Sequence, residues 1–524
     1  MLTSLPSFAS KLTYGTRIGT NGLIARIATF KTRSLQDTAC SAITSLALAA
    51  AGGGGGESDD SETLKSLPFT MLSPRGRACF WMAMAMALHF GGYEFARSSS
   101  LALFTSPQTG FRQTKVAFPV AMAFVSPLSV LLLIAYTNVL ETRGPKIALR
   151  QSTLGSMAAI GLSAAVVVSL PSPSILSKWL VGLAFVFQNS YAHLLYTQHW
   201  SFLGSVCSVD DGARWFASIA GLSSVASTCS GSMVGPLVQR IGLYGLLSCT
   251  IVTLTASLLC AERAYRLSEV HQFDPGQELL EQAKQKAQRK EQHSQNLIEK
   301  ARGLFHRVPT LKALFCEVLS FQCMSTILNV CLVTTLKSTI GNDHERAAWT
   351  GRFYALINAV SALFQFIVLP LGMKHISPTW AWRLMPIVPL VACLFTALQT
   401  NHPSLLLLAI AFFVTKCCDY SIRGVVTEMI YVPLDFDSRF VGKEVNGVFG
   451  NRLGKSGMSV LLSVLTAGGG VGLPQLTQLA AVASMAWTTC TLWLGQLVVA
   501  HDEKSTHPMV LEEMDGPPRD AKED

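Results

Sequence analysis

Residues 116–140 read VAFPVAMAFVSPLSVLLLIAYTNVL, a stretch without a single charged side chain. At about 1.5 Å of rise per residue, a helix of this length crosses the roughly 30 Å hydrocarbon layer of a bilayer. Comparable runs occur at 78–95, 152–170, 179–200, 216–238, 243–260, 313–336, 353–373, 380–398, 405–432, 446–469 and 476–500. Half of the 524 residues are hydrophobic, only 14% are charged, and the mean hydropathy is +0.38. Such a chain is too apolar for a water-soluble class and predicts an all-α membrane protein with twelve transmembrane helices.

The charged stretch from Glu262 to Lys312, with ten Lys/Arg against seven Asp/Glu, divides these runs into six and six. An even number per half sets the halves parallel, as two pseudo-symmetric six-helix bundles related by an axis along the membrane normal. The expected organisation is an N-terminal region 1–75, a first half 76–262, a central loop 263–311, a second half 312–500 and a tail 501–524. The first region has no acid before Asp37, whereas Lys11, Arg17, Arg26, Lys31 and Arg33 lie among Ser, Thr and Ala. That is the composition of an organellar transit peptide, plastid or mitochondrial, with a merely disordered basic tail as the alternative. The central loop alternates charge over 277–302 and predicts a surface helix, while the acidic tail predicts disorder.

Basic residues mark one side of the membrane. Arg143, Lys146 and Arg150, the central loop, Lys374, and Arg439 with Lys443 all follow even-numbered spans. By the positive-inside rule both termini and the central loop share a compartment, although Lys337, Arg346 and Arg352 after span seven depart from the pattern. Much of the formal charge of +9 is therefore topogenic, and no nucleic-acid partner is expected. The thirteen cysteines show no CxxC or Cys/His spacing, so neither a disulfide framework, a metal site nor another cofactor is expected. No HExxH or nucleophile elbow argues for an enzyme.

Polar side chains inside the spans are the candidate functional groups, because each is costly there without a partner or water. Glu94 and Arg97 lie three apart on one helix face and can neutralise each other. Span four carries Gln188, Asn189 and His193. Span ten carries Lys416, Asp419, Arg423 and Glu428 as a ladder in which Lys416 can pair with Asp419 and leave Arg423 free to share. Asn329, Asn358 and Gln365 add neutral polar groups. Two connections look related: Asp211, Arg214 and Phe216 after span four, and Asp435, Arg439 and Phe440 after span ten. The segment GNRLGKSG (450–457) is not a phosphate loop, since Phe449 stands where that motif needs glycine. Its glycines instead open a helix start where free N–H groups, Arg452 and Lys455 favour an anion.

Two segments, DFDSRFVGKEVNGVFGNRLGKSG (435–457) and HWSFLGSVCSVDDGARWFASIAGLSSVASTCSG (199–231), carry a further signal. They resemble the nucleotide transporters of plastids and intracellular bacteria, the ATP/ADP translocases, a family related to the major facilitator superfamily. The resemblance implies a major facilitator-like bundle exchanging nucleotides or related phosphorylated anions, with Lys455 matching a substrate-binding lysine. Gln188 and Asn329 stand where the family carries acids, and a lysine after Arg97 is absent. The resemblance therefore implies a divergent member. The expected function is a secondary transporter of an anionic organic solute by alternating access. The alternatives are a major facilitator-type transporter of another substrate and a non-transporting scaffold. The expected substrate contacts are Lys455, Arg452, Arg423, Arg97, Gln188 and Asn329. The expected gating network is Glu94, Lys416, Asp419, Glu428, Asp211, Arg214, Asp435 and Arg439. The expected partners are an anionic small molecule and the lipid bilayer.

Overall fold

A computed structural model describes residues 73–170, 174–207, 209–271, 273, 303–369, 378–399, 403–431, 446–468 and 470–506. Nearly all of these are helical, and none lies in a strand. The side chains of 141, 209–218, 425, 428, 429, 448, 449 and 499–506, and residues 1–72, most of the central loop and 432–445, lie outside the described residues. The readings made on Asp211, Arg214, Glu428, Asp435, Arg439 and the surface helix therefore also lie outside them.

The first part of the chain forms α1 (Pro74–Phe104), α2 (Ala117–Arg143), α3 (Pro145–Ser169) and α4 (Ile175–Val206). A long helix, Val209–Val270, is divided at Gly242 into α5 (209–241) and α6 (243–270). Gly242 has φ 72° and Gly144 φ 82°, backbone conformations that glycine adopts without a Cβ clash, and each forms a sharp turn between helices. Serine caps fix two starts: Ser73 accepts from Gly76 N–H, and Ser174 from Ser177 N–H, both at 3.0 Å.

The second part forms α7 (Pro309–Thr339) and α8 (Asp343–Leu363), the latter continued by a π-helical turn, Phe364–Val368. The short α9 (Pro378–Leu384) leads to α10 (Ile387–Leu398). Next, α11 (Leu405–Cys418) passes through a second π-helical turn, Asp419–Arg423, into α12 (Gly424–Tyr431). A third π-helical turn, Asn446–Leu453, opens α13 (Gly454–Gly468), and α14 (Leu473–Thr506) follows.

Seven of these helical stretches are long and apolar enough to cross a membrane: Ala117–Leu140, Pro145–Ser169, Ile219–Val270, Pro309–Thr339, Asp343–Val368, Trp380–Leu398 and Leu405–Arg423. Several boundaries differ from the sequence expectation, those at the end of α1, the end of α6 and the start of α8 by nine or ten residues. Helix α1 runs on from 95 to Phe104, because Ser98, Ser99 and Ser100 are buried and Ser99 Oγ donates to the Leu243 carbonyl at 2.7 Å. Helix α8 begins at Asp343 rather than 353, capped by the Asn342 side chain.

Hydroxyl-to-carbonyl bonds join the helices, as expected where lipid removes the hydrophobic drive between them. Thr250 Oγ1 donates to Gly92 O at 3.0 Å and Ser257 Oγ to Ala85 O at 2.7 Å, binding α6 to α1. A Cβ on Gly351 would lie 2.5 Å from the Val234 Cβ and 2.7 Å from the Gly231 carbonyl, so α5 and α8 touch backbone to backbone. At one end of the molecule Arg346, only 1% exposed, clasps the two parts of the chain. Its Nε donates to Thr105 Oγ1 at 3.0 Å, Nη2 to Ala102 O at 3.3 Å and Nη1 to Ile340 O at 2.9 Å, and it pairs with Asp343. Its departure from the charge pattern follows from this: Arg346 is an internal fastener, so its position was set by packing. On the basic side, Lys146 meets Glu269 at 2.8 Å and Arg150 meets Glu262 at 3.5 Å, tying α3 to the end of α6.

Candidate functional site

Three groups of polar side chains meet in the interior. In the first, Arg97 and Glu94 form an ion pair on α1, and Asn358 Nδ2 of α8 donates to Glu94 Oε1 at 3.1 Å. The Arg97 guanidinium sits 3.3 Å from the Tyr354 ring centroid and 5.3 Å from that of Tyr93. Pairing offsets much of the insertion cost of charge at this depth, about 2.5–3.5 kcal/mol per group. Gln188, 2% exposed, lies beside the Tyr93 hydroxyl, yet neither of its amide atoms closes a hydrogen bond of normal geometry.

In the second group the span-ten ladder meets a carboxylate that the sequence reading did not single out. Glu317 of α7 is fully buried. Arg423 grips it with both arms, Nε to Oε1 at 2.9 Å and Nη2 to Oε2 at 3.1 Å, while Trp487 Nε1 of α14 donates to Oε1 at 2.7 Å. Arg423 also reaches Asp419 at 3.2 Å, and Asp419 takes Lys416 at 3.1 Å, the pair expected from spacing. Arg423 was expected to stay free for sharing, and Glu317 closes it instead. The available signal was a lone acid inside the apolar run 313–336. Asn329, half-buried on α7, lies twelve residues from Glu317, about 18 Å along the axis, and takes no part in this network.

The third group lies where α13 begins. The Arg452 carbonyl accepts from Ser126 Oγ at 3.0 Å, and Ser456 Oγ meets the same hydroxyl at 2.5 Å, fastening α13 to α2. One residue away, the Val125 carbonyl accepts from Ser190 Oγ of α4 at 3.1 Å. This path from α13 through α2 to α4 brings His193, one turn beyond Ser190, into the electrostatic reach of Arg452 and Lys455. Lys455 in turn lies near Lys416 and Asp419, joining the second group to the third. Arg452 Nη1 is buried without an acceptor, and among the described residues neither Arg452 nor Lys455 forms an ion pair.

Among the described residues the three groups thus hold five cations, Arg97, Lys416, Arg423, Arg452 and Lys455, against three carboxylates, Glu94, Glu317 and Asp419. The excess sits at the start of α13. Tyr420 is 39% exposed although Arg97, Asp419, Tyr93 and Glu94 are its neighbours, and Lys416 Nζ lies 5.4 Å from its ring. A cavity of about 330 Å³ within α1 to α4 and α6 is lined by Leu103, Ile160, Val167 and Phe187, with Gln188 at its wall. That apolar lining suits no anion, so the cationic centre lies elsewhere.

The ADP,ATP carrier protein 1 of Chlamydia trachomatis (serovar D) is 23% identical over 369 residues, 62% of this chain and 67% of the relative. Its counterpart in Chlamydia muridarum is 22% identical over 370 residues, with the same coverage. Among solved structures, a POT family transporter in complex with a thioalcohol-conjugated peptide superposes with a TM-score of 0.55 at 10% identity. It covers 85% of this chain and 100% of that one. The nucleoside transporter NupG superposes with a TM-score of 0.55 at 11% identity, over 80% and 99%. The fold is therefore that of these transporters. The model of the TLC ATP/ADP transporter family matches residues 169–499, well over half of the chain, and the protein is an integral membrane transporter belonging to that family.

Proposed function

We propose that this protein is a secondary transporter of a phosphorylated organic anion, most readily a nucleotide, which docks at Arg452, Lys455 and His193. The observation that carries this reading is that Arg452 and Lys455, at the start of α13, form no ion pair among the described residues. Every other cation of the site has a described carboxylate partner, whereas Arg452 and Lys455 are available to a ligand. A buried charge without a partner is destabilising, so a bound anion supplies what the fold withholds. His193 approaches from α4 and Lys455 from α13, so the anion would touch both six-helix halves.

In this reading twelve spans form two parallel six-helix halves that rock about the site, with both termini on the basic side. The Arg346 clasp supports it as a closed gate at the end of α1. Arg97 and Arg423 serve as paired scaffolding, and the Lys416–Asp419 pair is the element that an incoming anion loosens. The runner-up, a scaffold that has lost transport, predicts no solute dependence at all.

The test is uptake of a panel of radiolabelled nucleotides and phosphorylated metabolites into proteoliposomes, with and without internal counter-substrate. Saturable uptake stimulated by internal anion is expected. Absence of uptake for every member of the panel would remove the reading.

A further inference from the structure

The charged layers of the interior are not alike, and the difference bears on the shape of the solute. At the start of α13 cations are in excess: among the described residues neither Arg452 nor Lys455 forms an ion pair, and His193 lies within their electrostatic reach. One layer away the charges cancel, Glu94 against Arg97 and Lys416 against Asp419. Between these neutral pairs stand aromatic rings. The Tyr354 ring centroid lies 3.3 Å and that of Tyr93 5.3 Å from the Arg97 guanidinium, and Tyr420, their electrostatic neighbour, keeps 39% of its surface exposed. A phenol with more than a third of its surface free in the middle of a membrane bundle is unusual, because an aromatic ring there normally packs against a neighbour.

We propose that this tyrosine layer is a subsite for a planar, uncharged ring, the nucleobase of the solute, with Tyr420 as its stacking platform. The proposal rests on the anion-site reading above and adds to it. Phosphates bring two to four negative charges and belong with Arg452 and Lys455, whereas a base has no net charge and gains nothing there. A neutral layer with an open π-face favours the ring by stacking and does not reject it electrostatically. Lys455 lies near Lys416, and Lys416 lies over Tyr420, so the two subsites are adjacent, as the two ends of one nucleotide must be. The Gln188 amide, which lacks well-formed bonds, lies beside the Tyr93 hydroxyl, itself a neighbour of Tyr420, and both are groups able to read a ring edge. The consequence is selectivity for nucleotides over sugar phosphates and inorganic polyphosphates of equal charge.

The experiment is equilibrium binding to the purified full-length protein in detergent. ATP, ribose 5-phosphate and inorganic triphosphate compete with radiolabelled ADP, and inorganic triphosphate binding is also measured directly. Wild-type protein is expected to prefer ATP to inorganic triphosphate by tenfold or more. Tyr420→Ala and Tyr420→Leu are expected to weaken ATP at least about fivefold while inorganic triphosphate binding stays within about twofold, which also reports an intact fold. If ATP and inorganic triphosphate bind equally to the wild type, or if both weaken together in the variants, the ring subsite is overturned while the anion site stands. If neither binds to the wild type, the anion site itself falls and takes the subsite with it.

Discussion

Lys455 and Arg423 show how the same residue type takes opposite roles in one interior. Arg423 is held by Glu317 and Asp419, and its charge is spent within the fold. Lys455 has no described carboxylate in contact, so its charge is available. A hydrogen bond to a charged group is worth about 1.5–3 kcal/mol, so Lys455→Ala is expected to raise the KM for nucleotide uptake by about 10- to 100-fold. Proteoliposome kinetics check this, with thermal unfolding expected to change little. The pattern inverts at Glu317. Its removal leaves Arg423 half-paired and the Trp487 N–H without its acceptor, so Glu317→Ala is expected to destabilise by about 3–5 kcal/mol. The double variant Glu317→Leu with Arg423→Leu is expected to recover most of that loss. Melts in detergent that rank the double variant below Glu317→Ala would refute this account of the pair.

Among the described residues three π-helical turns, at 364–368, 419–423 and 446–453, lie in the second part of the chain. Two of them carry site residues, Asp419 with Arg423 and Arg452. A π-helical turn widens the helix by one residue and shifts the faces beyond it, and such turns gather at functional positions. Here the second turn presents Arg423 to Glu317 of α7 while leaving Tyr420 39% exposed. The crossing of α5 and α8 is the other decisive element. With Gly351 against Val234 and Gly231, any side chain must push the helices apart. Gly351→Val is expected to abolish uptake and to cost about 1–3 kcal/mol of stability by overpacking. Gly457→Ala, at a position with open space around its Cβ site, is the matched control and is expected to leave the melting temperature nearly unchanged.

At the scale of the molecule, Arg346 joins the end of α1 to the start of α8 through Thr105, Ala102 and Asp343. Arg346→Ala is expected to loosen that end. In a background without reactive native cysteines, a cysteine placed at Ala102 should react faster with a membrane-impermeant maleimide in the variant than in the parent. Equal rates would exclude a gate there. The class of the protein was legible in its sequence because hydropathy and helix length are local properties. Runs such as 116–140 declare a membrane helix wherever they pack, and the Glu94–Arg97 and Lys416–Asp419 pairs follow from helical spacing alone. The GKSG segment and its cations were legible for the same reason. Glu317 gripping Arg423, the Arg346 clasp and the placing of His193 within electrostatic reach of Arg452 were decided only by tertiary structure. Their partners lie 106, 241 and about 260 positions apart. No periodicity links such residues, and the interactions exist because in an apolar solvent each buried charge must find whatever partner the packed helices bring within reach.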